Sequence, residues 1–138
     1  MRVDILSKEY PPTIYGGAGV HVQELVRALR DRGDMTVRVH AFGGPRDEAD
    51  TYSYPDLPEL ADANAAIQTM GVDLSMVSGT AGADLVHSHT WYANFAGHVA
   101  SLLGGMPHVI SAHSLEPMRP WKAEQLGGGY RLSSWIEK

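Results

Sequence analysis

The chain has 138 residues, a formal net charge of −5 and no cysteine, and 43 % of its residues are hydrophobic. This composition is typical of a globular domain, and the lack of cysteine excludes disulfide and thiolate chemistry and suits the reducing cytoplasm. The chain has no basic run that would bind nucleic acid, and no apolar run approaches the ~18 residues that span a bilayer.

The first 42 residues predict a strand, a helix and a second strand. The apolar run Val3–Leu6 is long enough for a buried strand, and two prolines soon follow it. From Gly19 onward, apolar residues recur at positions i, i+3, i+4 and i+7, which predicts a helix that ends at Gly33. The segment Thr36–Phe42 alternates apolar and polar residues, as a strand does.

The rest of the chain continues this alternation. Residues 43–58 contain several glycines and prolines and predict a long loop. Residues 59–79 predict a helix that is interrupted at Gly71. The further predicted elements are a strand at 83–90, a helix at 91–105, a strand at 107–114 and a helical stretch, broken at its glycines, at 122–138.

The order of these elements predicts an α/β fold with a Rossmann-like parallel sheet flanked by helices. Strand and helix alternate and no hairpin signal joins two strands, which is the pattern of a parallel sheet. Four strands are fewer than usual for such a sheet, and the sequence stops at Lys138 inside a helical pattern. We therefore expect residues 1–138 to be the N-terminal piece of a longer protein.

Glycines at 16, 17 and 19 lie between the first predicted strand and the first predicted helix. Parallel sheets bind ligands at the carboxyl ends of their strands, and a helix that begins there favours negative charge. Gly16, Gly17 and Gly19 are therefore candidate binding residues, because glycine lets the backbone approach a ligand closely. The alternative that they only shape a loop stays open. A dinucleotide fingerprint is disfavoured, since Val22 stands in place of its third glycine and no acidic residue ends the second strand.

Four histidines are predicted at the same edge of the sheet. His87 and His89 lie near the end of the third predicted strand, His113 closes the fourth, and His21 is in the first turn of the helix after the glycines. We expect His113 to be functional and His87 to be a hydrogen-bonded core histidine. The spacing of His87 and His89 is also that of half a zinc site, but no third or fourth ligand is evident in the sequence, and no metal is expected.

Three segments resemble the N-terminal domain of retaining GT-B glycosyltransferases of the glycogen synthase-like group, which includes the actinobacterial α-maltose-1-phosphate synthases. The segments are EYPPTIYGGAGVHVQEL (9–25), DLVHSHTWYANFAG (84–97) and SAHSLEPMRPWKAEQLGGGYRLSSWIE (111–137). Their order also agrees, and the resemblance covers nearly all of the chain. It implies two Rossmann-like domains with a cleft between them, of which residues 1–138 are the acceptor-side domain.

The resemblance also implies roles for single residues. In such enzymes the glycine loop lies beside the donor diphosphate and the transferred sugar, which here implies Gly16 and Gly17. The histidine that ends the equivalent strand acts at the reaction centre, which implies His113. Tyr15 replaces a lysine of many glycogen synthases, and Thr90-Trp91-Tyr92 replaces their Asp-Trp-His, which favours the actinobacterial branch.

The implied reaction is transfer of glucose, with retention, from ADP-glucose or another nucleotide-glucose to glucose-1-phosphate or an α-1,4-glucan in glycogen biosynthesis. The nucleotide-sugar is a substrate, and no cofactor is implied. We expect the isolated piece to be inactive, and a homo-oligomer is left open. The remaining candidate substrate-binding residues are Tyr15, Gly19, His89, Trp91, Glu116, Arg119 and Trp121.

Two other functions stay open at this point. The piece could be a sugar-binding module without catalysis. It could also belong to a nucleotide-sugar epimerase, which shares the two-domain architecture but is expected to carry acidic groups for proton abstraction beside the glycine loop, where Glu9 is the only one nearby.

Overall fold

A computed structural model describes residues 1–138 as one five-stranded parallel sheet with helices on both faces. The strands are β1 (Arg2–Ser7), β2 (Thr36–Phe42), β3 (Thr51–Tyr54), β4 (Leu85–His89) and β5 (His108–Ser111). The α-helices are α1 (Gly17–Arg32), α2 (Ala65–Gly79), α3 (Trp91–Gly104), α4 (Ala123–Leu126) and α5 (Gly128–Ile136). Short 3-10 turns lie at Pro58–Leu60, Glu116–Met118 and Pro120–Lys122. None of the helices is long and apolar enough to cross a bilayer.

The strand order is β3-β2-β1-β4-β5, and every neighbouring pair is parallel. Strand β1 lies in the middle, where Val3 is paired with Val37 of β2 on one side and with Leu85 of β4 on the other. The chain first adds strands on one side of β1 and then crosses to the other. A crevice forms at the carboxyl ends of the strands where the direction of winding changes, and here that point is between β1 and β4.

Each face of the sheet has its own hydrophobic core. Helix α1 covers one face, where Val22 and Val26 pack with Ile5 and Val39 of the sheet. Helices α2 and α3 cover the other face, and the next residue of β1, Leu6, points into that second core. Successive residues of a strand face opposite sides of the sheet. A central strand that is buried on both faces therefore has a continuous apolar sequence, and this apolar run is what predicted β1.

The predicted loop at 43–58 is wrong in one part, because Thr51–Tyr54 forms strand β3 at the edge of the sheet. A chain of buried polar groups fixes this short strand. His40 Nε2 lies 3.0 Å from Asp4 Oδ2, and His40 Nδ1 lies 2.9 Å from the Tyr54 hydroxyl. A strand of four residues has too little periodicity to be predicted. Its position depends on the hydrogen bonds that link Tyr54 through His40 of β2 to Asp4 of β1.

Three further boundaries differ from the sequence prediction. Helix α2 begins only at Ala65, where the Asn64 side chain accepts a hydrogen bond from the Ala66 N–H. It then runs without interruption through Gly71, where a Cβ would lie 2.5 Å from Leu60 Cδ1, so this glycine permits close packing. Strand β5 ends at Ser111, so His113 follows the strand instead of closing it. The break in the last helical stretch is confirmed, since α4 ends before Gly127 and α5 begins after it.

Asp73 is an acid without partners in the interior of the fold. It lies on α2, is 0 % exposed, and neither carboxylate oxygen has a hydrogen-bond partner. Burial raises the pKa of Asp73 well above its usual range, because a charged carboxylate in the interior loses its hydration. The folded protein therefore keeps this carboxyl neutral at pH values where the unfolded chain has ionised it.

We expect Asp73→Asn to raise the free energy of unfolding at pH 7.5 and to have much less effect at pH 4.5. With a raised pKa in the folded state, stability is lost as pH rises above the unfolded value, at about 1.4 kcal/mol per pH unit. Urea denaturation of both proteins at the two pH values measures the difference. The exposed Asp62 is the matched control, and Asp62→Asn should change stability by less than ~0.5 kcal/mol. An Asp73→Asn effect that does not depend on pH contradicts this assignment.

Candidate active site

The carboxyl edge of the sheet brings together the glycine loop, the ends of β1 and β4, and the segment after β5. A carboxylate at the end of β1 organises this loop. Glu9 is buried, and its Oε1 accepts the N–H groups of Tyr15, at 3.0 Å, and of Gly16, at 2.8 Å. The Gly16 N–H is thus engaged within the protein. The outward-facing part of the turn begins with Gly17, the first residue of α1. No side chain caps this helix N terminus.

Gly19 has a packing reason of its own. It is buried in the first turn of α1, and a Cβ there would lie 2.9 Å from the Glu9 Cβ and 3.0 Å from the Ile14 Cγ2. Any side chain would push α1 away from Glu9. The structure thus places Gly19 behind the loop, whereas Gly17 is exposed and a Cβ there would meet nothing within 4 Å.

The histidines form one cluster at this edge, as their positions in the predicted sheet indicated. His89 is fully buried at the end of β4, and its Nδ1 lies 3.1 Å from Nε2 of the exposed His113. The ring of His21, on α1, lies 5.1 Å from that of His113 and 5.6 Å from that of His89. The His87 ring lies behind, tilted against the His89 ring with centres 4.3 Å apart, and its Nε2 lies 2.8 Å from the Ser111 hydroxyl. His113 and the start of α1 therefore share one edge of the molecule.

The interior of this cluster is uncharged at neutral pH. Burial lowers the pKa of His89 to about 3, and repulsion from the neighbouring imidazoles adds to this shift. Burial also lowers the pKa of His87 and His113, with smaller contributions from the charge of His21. Neutral imidazoles can donate or accept hydrogen bonds and can bind a metal through a free nitrogen.

The residue after His89 has a strained backbone. Thr90 has φ of 64° and ψ of 165°, a conformation that belongs almost entirely to glycine, and its buried hydroxyl has no hydrogen-bond partner. Such a conformation costs about 1–3 kcal/mol and is concentrated at functional sites. It turns the chain sharply from β4 into α3, and Thr90 lies at the wall of a cavity.

This cavity has a volume of about 770 Å³ and lies beside the histidine cluster. Thr90 and Ser114, which directly follow His89 and His113 in the chain, both line it. Of the candidate substrate-binding residues, the cavity wall contains Tyr15, Trp91, Glu116 and Arg119. The wall does not contain the other candidates, which are Gly16, Gly17, Gly19, His89, His113 and Trp121. Trp121 is 63 % exposed to solvent.

Cationic and aromatic groups give the cavity its chemistry. Lys8, Arg119 and Lys122 line it, and neither lysine forms an ion pair. The Lys8 ammonium lies 3.9 Å from the centre of the Tyr92 ring, and burial lowers the pKa of Lys8. Trp91 packs on Tyr92 with ring centres 4.4 Å apart. Cationic groups beside aromatic faces suit a ligand that combines a phosphate with a sugar.

Glu116 lies at the cavity wall, but its carboxylate is engaged within the protein. It is 3 % exposed and accepts hydrogen bonds from Arg119, at 3.3 Å, and from the Ser133 hydroxyl, at 3.3 Å. Its backbone N–H donates to Glu137 and its carbonyl accepts from the Tyr130 hydroxyl. Glu116 thus joins the turn that carries Arg119 to helix α5, and it orients that guanidinium at the cavity wall.

Sequence reasoning missed Lys8, Tyr92 and the opposite wall of the cavity. Lys8 could have been found, because it lies two residues after the first predicted strand, Val3–Leu6. The opposite wall comes from the ends of β2 and β3 and from the start of α2, and its residues include Phe42, Gly43, Asp56, Asn64 and Gln68. Nothing local marks these residues, since only the strand order brings them beside β4.

We expect His89 to lower the free energy of unfolding as pH is lowered from 7 to 5, a contribution opposite in sign to that of Asp73. The unfolded chain protonates His89 near its ordinary pKa, whereas the folded protein does not until about pH 3, so stability is lost as the pH falls. Each such proton contributes about 1.4 kcal/mol per pH unit. Urea denaturation of His89→Phe at pH 5, 6 and 7 should therefore show a shallower slope. His98→Phe is the control, since His98 is exposed on α3, and an unchanged slope in His89→Phe contradicts the assignment.

Comparisons with known proteins agree with this fold. The chain is 59 % identical over 138 residues to the α-maltose-1-phosphate synthase of Mycolicibacterium smegmatis and 56 % identical to that of Mycobacterium tuberculosis. All of the chain matches, but it spans only 35 % of the length of these relatives. The sucrose-phosphate synthase of Thermosynechococcus elongatus superposes with a TM-score of 0.69 at 14 % identity, over 98 % of this chain and 39 % of that one.

A second solved structure, Anabaena HepE in complex with UDP, superposes with a TM-score of 0.57 at 20 % identity, over 99 % of this chain and 35 % of that one. The Rossmann-like sheet of the GT-B type expected from the sequence is therefore confirmed. The family Glycosyltransferase Family 4 matches residues 15–138. Because this match covers most of the residues, including the glycine loop, the histidine cluster and most of the cavity wall, the chain belongs to glycosyltransferase family 4.

Proposed function

We propose that residues 1–138 are the N-terminal, acceptor-side domain of a retaining hexosyltransferase of glycogen biosynthesis. The enzyme transfers glucose from ADP-glucose, or another nucleotide-glucose, to glucose-1-phosphate or an α-1,4-glucan. The observation that carries this proposal is the cavity of about 770 Å³, lined by Lys8, Arg119 and Lys122, whose wall includes Ser114, the residue after His113. The absence of cysteine suits a cytoplasmic enzyme.

Glucose-1-phosphate is the acceptor that the cavity favours. A relative named α-maltose-1-phosphate synthase makes a glucosyl–glucose phosphate, which requires a sugar phosphate acceptor if glucose is transferred. In this chain the cations at the wall would hold the phosphate, and Trp91 or Tyr92 would contact a sugar face. A glucan acceptor has no phosphate and would use the aromatic groups alone.

The donor would approach the same edge from the second domain. The leaving nucleoside diphosphate becomes more negative as its bond to the sugar breaks, and the free N terminus of α1 at Gly17 supplies oriented dipoles for that charge. His113, exposed and held by His89 at 3.1 Å, would contact the transferred glucose. The domain alone lacks most of the expected donor contacts, and for this reason we expect the 138-residue chain to be inactive.

The alternatives have less support. An epimerase would need a free base beside the glycine loop, but both hydrogen bonds from the loop go to Glu9, whose carboxylate is buried. A sugar-binding module without catalysis would not need the buried, neutral His89 beside His113 or the strained Thr90. The same cluster and the same strain are expected of a reaction centre.

The role of His113 can be tested in an enzyme in which this chain is followed by a second domain. His113→Ala should lower kcat by about 100-fold or more, since one group that stabilises the transition state contributes about this much. Transfer from ADP-glucose to glucose-1-phosphate is the assay. His98→Ala, on an exposed face of α3, is the control and should keep full turnover. Turnover of His113→Ala within a few-fold of the unaltered enzyme removes His113 from the mechanism.

The acceptor can be tested at Lys122. Lys122→Gln should raise the KM for glucose-1-phosphate by about 10- to 100-fold, because a hydrogen bond to a charged group contributes about 1.5–3 kcal/mol. It should leave the KM for an α-1,4-glucan unchanged, since that acceptor carries no phosphate. Arg131→Gln, at an exposed site on α5 outside the cavity, is the matched control. An equal rise in KM for both acceptors would mean that Lys122 does not bind the phosphate.

A further inference from the structure

The segment that carries Arg119 and Lys122 to the cavity wall has a single buried residue. Among residues 112–122 only Glu116 is buried. Two short turns follow it, because the Glu116 carbonyl accepts the Arg119 N–H at 3.0 Å and the Arg119 carbonyl accepts the Lys122 N–H at 2.9 Å. The positions of both cations therefore depend on the groups that hold Glu116 in place.

The backbone of Glu116 is held by Glu137, the residue that follows α5. The Oε2 atom of Glu137 accepts the Glu116 N–H at 2.6 Å, and its Oε1 atom accepts a hydrogen bond from the Asn94 side-chain amide at 3.0 Å. Glu137 is partly buried and does not line the cavity. Its carboxylate thus joins the 112–122 segment to helix α3 from outside the cavity.

Behind Asn94 the hydrogen bonds continue to the edge of the sheet. Asn94 Oδ1 accepts a hydrogen bond from the Ser88 hydroxyl of β4 at 2.8 Å, and Ser88 Oγ lies 2.7 Å from Nε2 of His108 on β5. Burial lowers the pKa of His108 to about 4, so its ring is neutral and donates one N–H. Ser88 and Asn94 are buried, so a bond lost from this chain leaves a polar group unpaired.

We propose that Glu137 is a positioning residue for acceptor binding, whose carboxylate fixes the 112–122 segment so that Arg119 and Lys122 face the cavity. This role rests on the proposed function, because it assigns the acceptor phosphate to those two cations. Glu137 accepts two N–H groups, one from the backbone and one from an amide. An ionised carboxylate has an oxygen for each of them, whereas an amide has only one.

The variant Glu137→Gln tests this role with almost no change in shape. Its single side-chain oxygen can accept only one of the two N–H groups, and the other would face a second donor. Asn94→Asp alone places two carboxylates against each other. With both substitutions together the pattern is restored, since the carboxylate at position 94 accepts from the amide at position 137, whose oxygen accepts the Glu116 N–H.

The first measurement uses the 138-residue chain and does not need the reaction. Amide hydrogen exchange at Glu116, Arg119 and Lys122 should be about 10-fold faster in Glu137→Gln and in Asn94→Asp, the effect of about one lost hydrogen bond. The double variant should exchange as the unaltered chain does. Exchange in β1 should be the same in all four proteins, because the sheet stays folded. Unchanged exchange at the three amides in both single variants overturns the proposal.

The second measurement uses an enzyme in which a second domain follows this chain. Glu137→Gln should raise the KM for glucose-1-phosphate about 10-fold and leave kcat within about 3-fold, and adding Asn94→Asp should restore KM. Loss of folded protein would lower kcat without raising KM. Loss of a negative charge near a phosphate site would by itself lower KM. Glu124→Gln removes the same charge at an exposed position on α4 outside the cavity wall, and as the control it should not raise KM.

The outcomes separate this role from the proposed function. Faster exchange without a rise in KM overturns the proposal, because the segment is then loosened with no effect on the acceptor. A double variant that stays as impaired as Glu137→Gln also overturns it. If the unaltered enzyme does not transfer glucose to glucose-1-phosphate, the proposed function fails and the acceptor role fails with it, while the exchange measurement still decides whether Glu137 holds the segment.

Discussion

The pairing of β1 with β2 on one side and β4 on the other is the constraint on which this structure depends. Because the winding of the chain reverses at β1, the carboxyl ends of β1 and β4 lie side by side with helices leading away from both. The Glu9 carboxylate after β1 fixes the glycine loop, and Thr90 after β4 turns the chain into α3. Without this reversal the glycine loop and His89 would not share a crevice.

The crevice contains two chemically different regions. One is a group of neighbouring imidazoles in which burial keeps His89 neutral, and the other is a larger cavity with lysine and arginine at its wall. The two are connected through adjacent residues, since Thr90 and Ser114 follow His89 and His113. An anionic ligand would suit the cationic region and its neutral part the imidazoles, and the proposed transfer of a sugar to a sugar phosphate would use both regions.

Polar groups inside the fold have contrasting consequences. The chain from Asp4 through His40 to Tyr54 satisfies every group it buries and thereby fixes an edge strand of only four residues. Asp73 has no partner, and its burial only reduces stability. The histidine cluster lies between these cases, because one buried nitrogen of His89 is unpaired while the other contacts His113. His89 is thus only partly satisfied, and its remaining contact holds the exposed His113.

The sequence by itself determined the parallel α/β class, most helix and strand positions, and the shared edge of the glycine loop with His89 and His113, because apolar periodicity and strand ends are local signals. Only the tertiary structure decided that Thr51–Tyr54 is a strand and that the Glu9 carboxylate engages Gly16. These depend on contacts between residues far apart in the chain. Asn64 and Arg119 likewise line the same cavity. The strand order brings them together, and no periodicity in the sequence predicts this contact between distant segments.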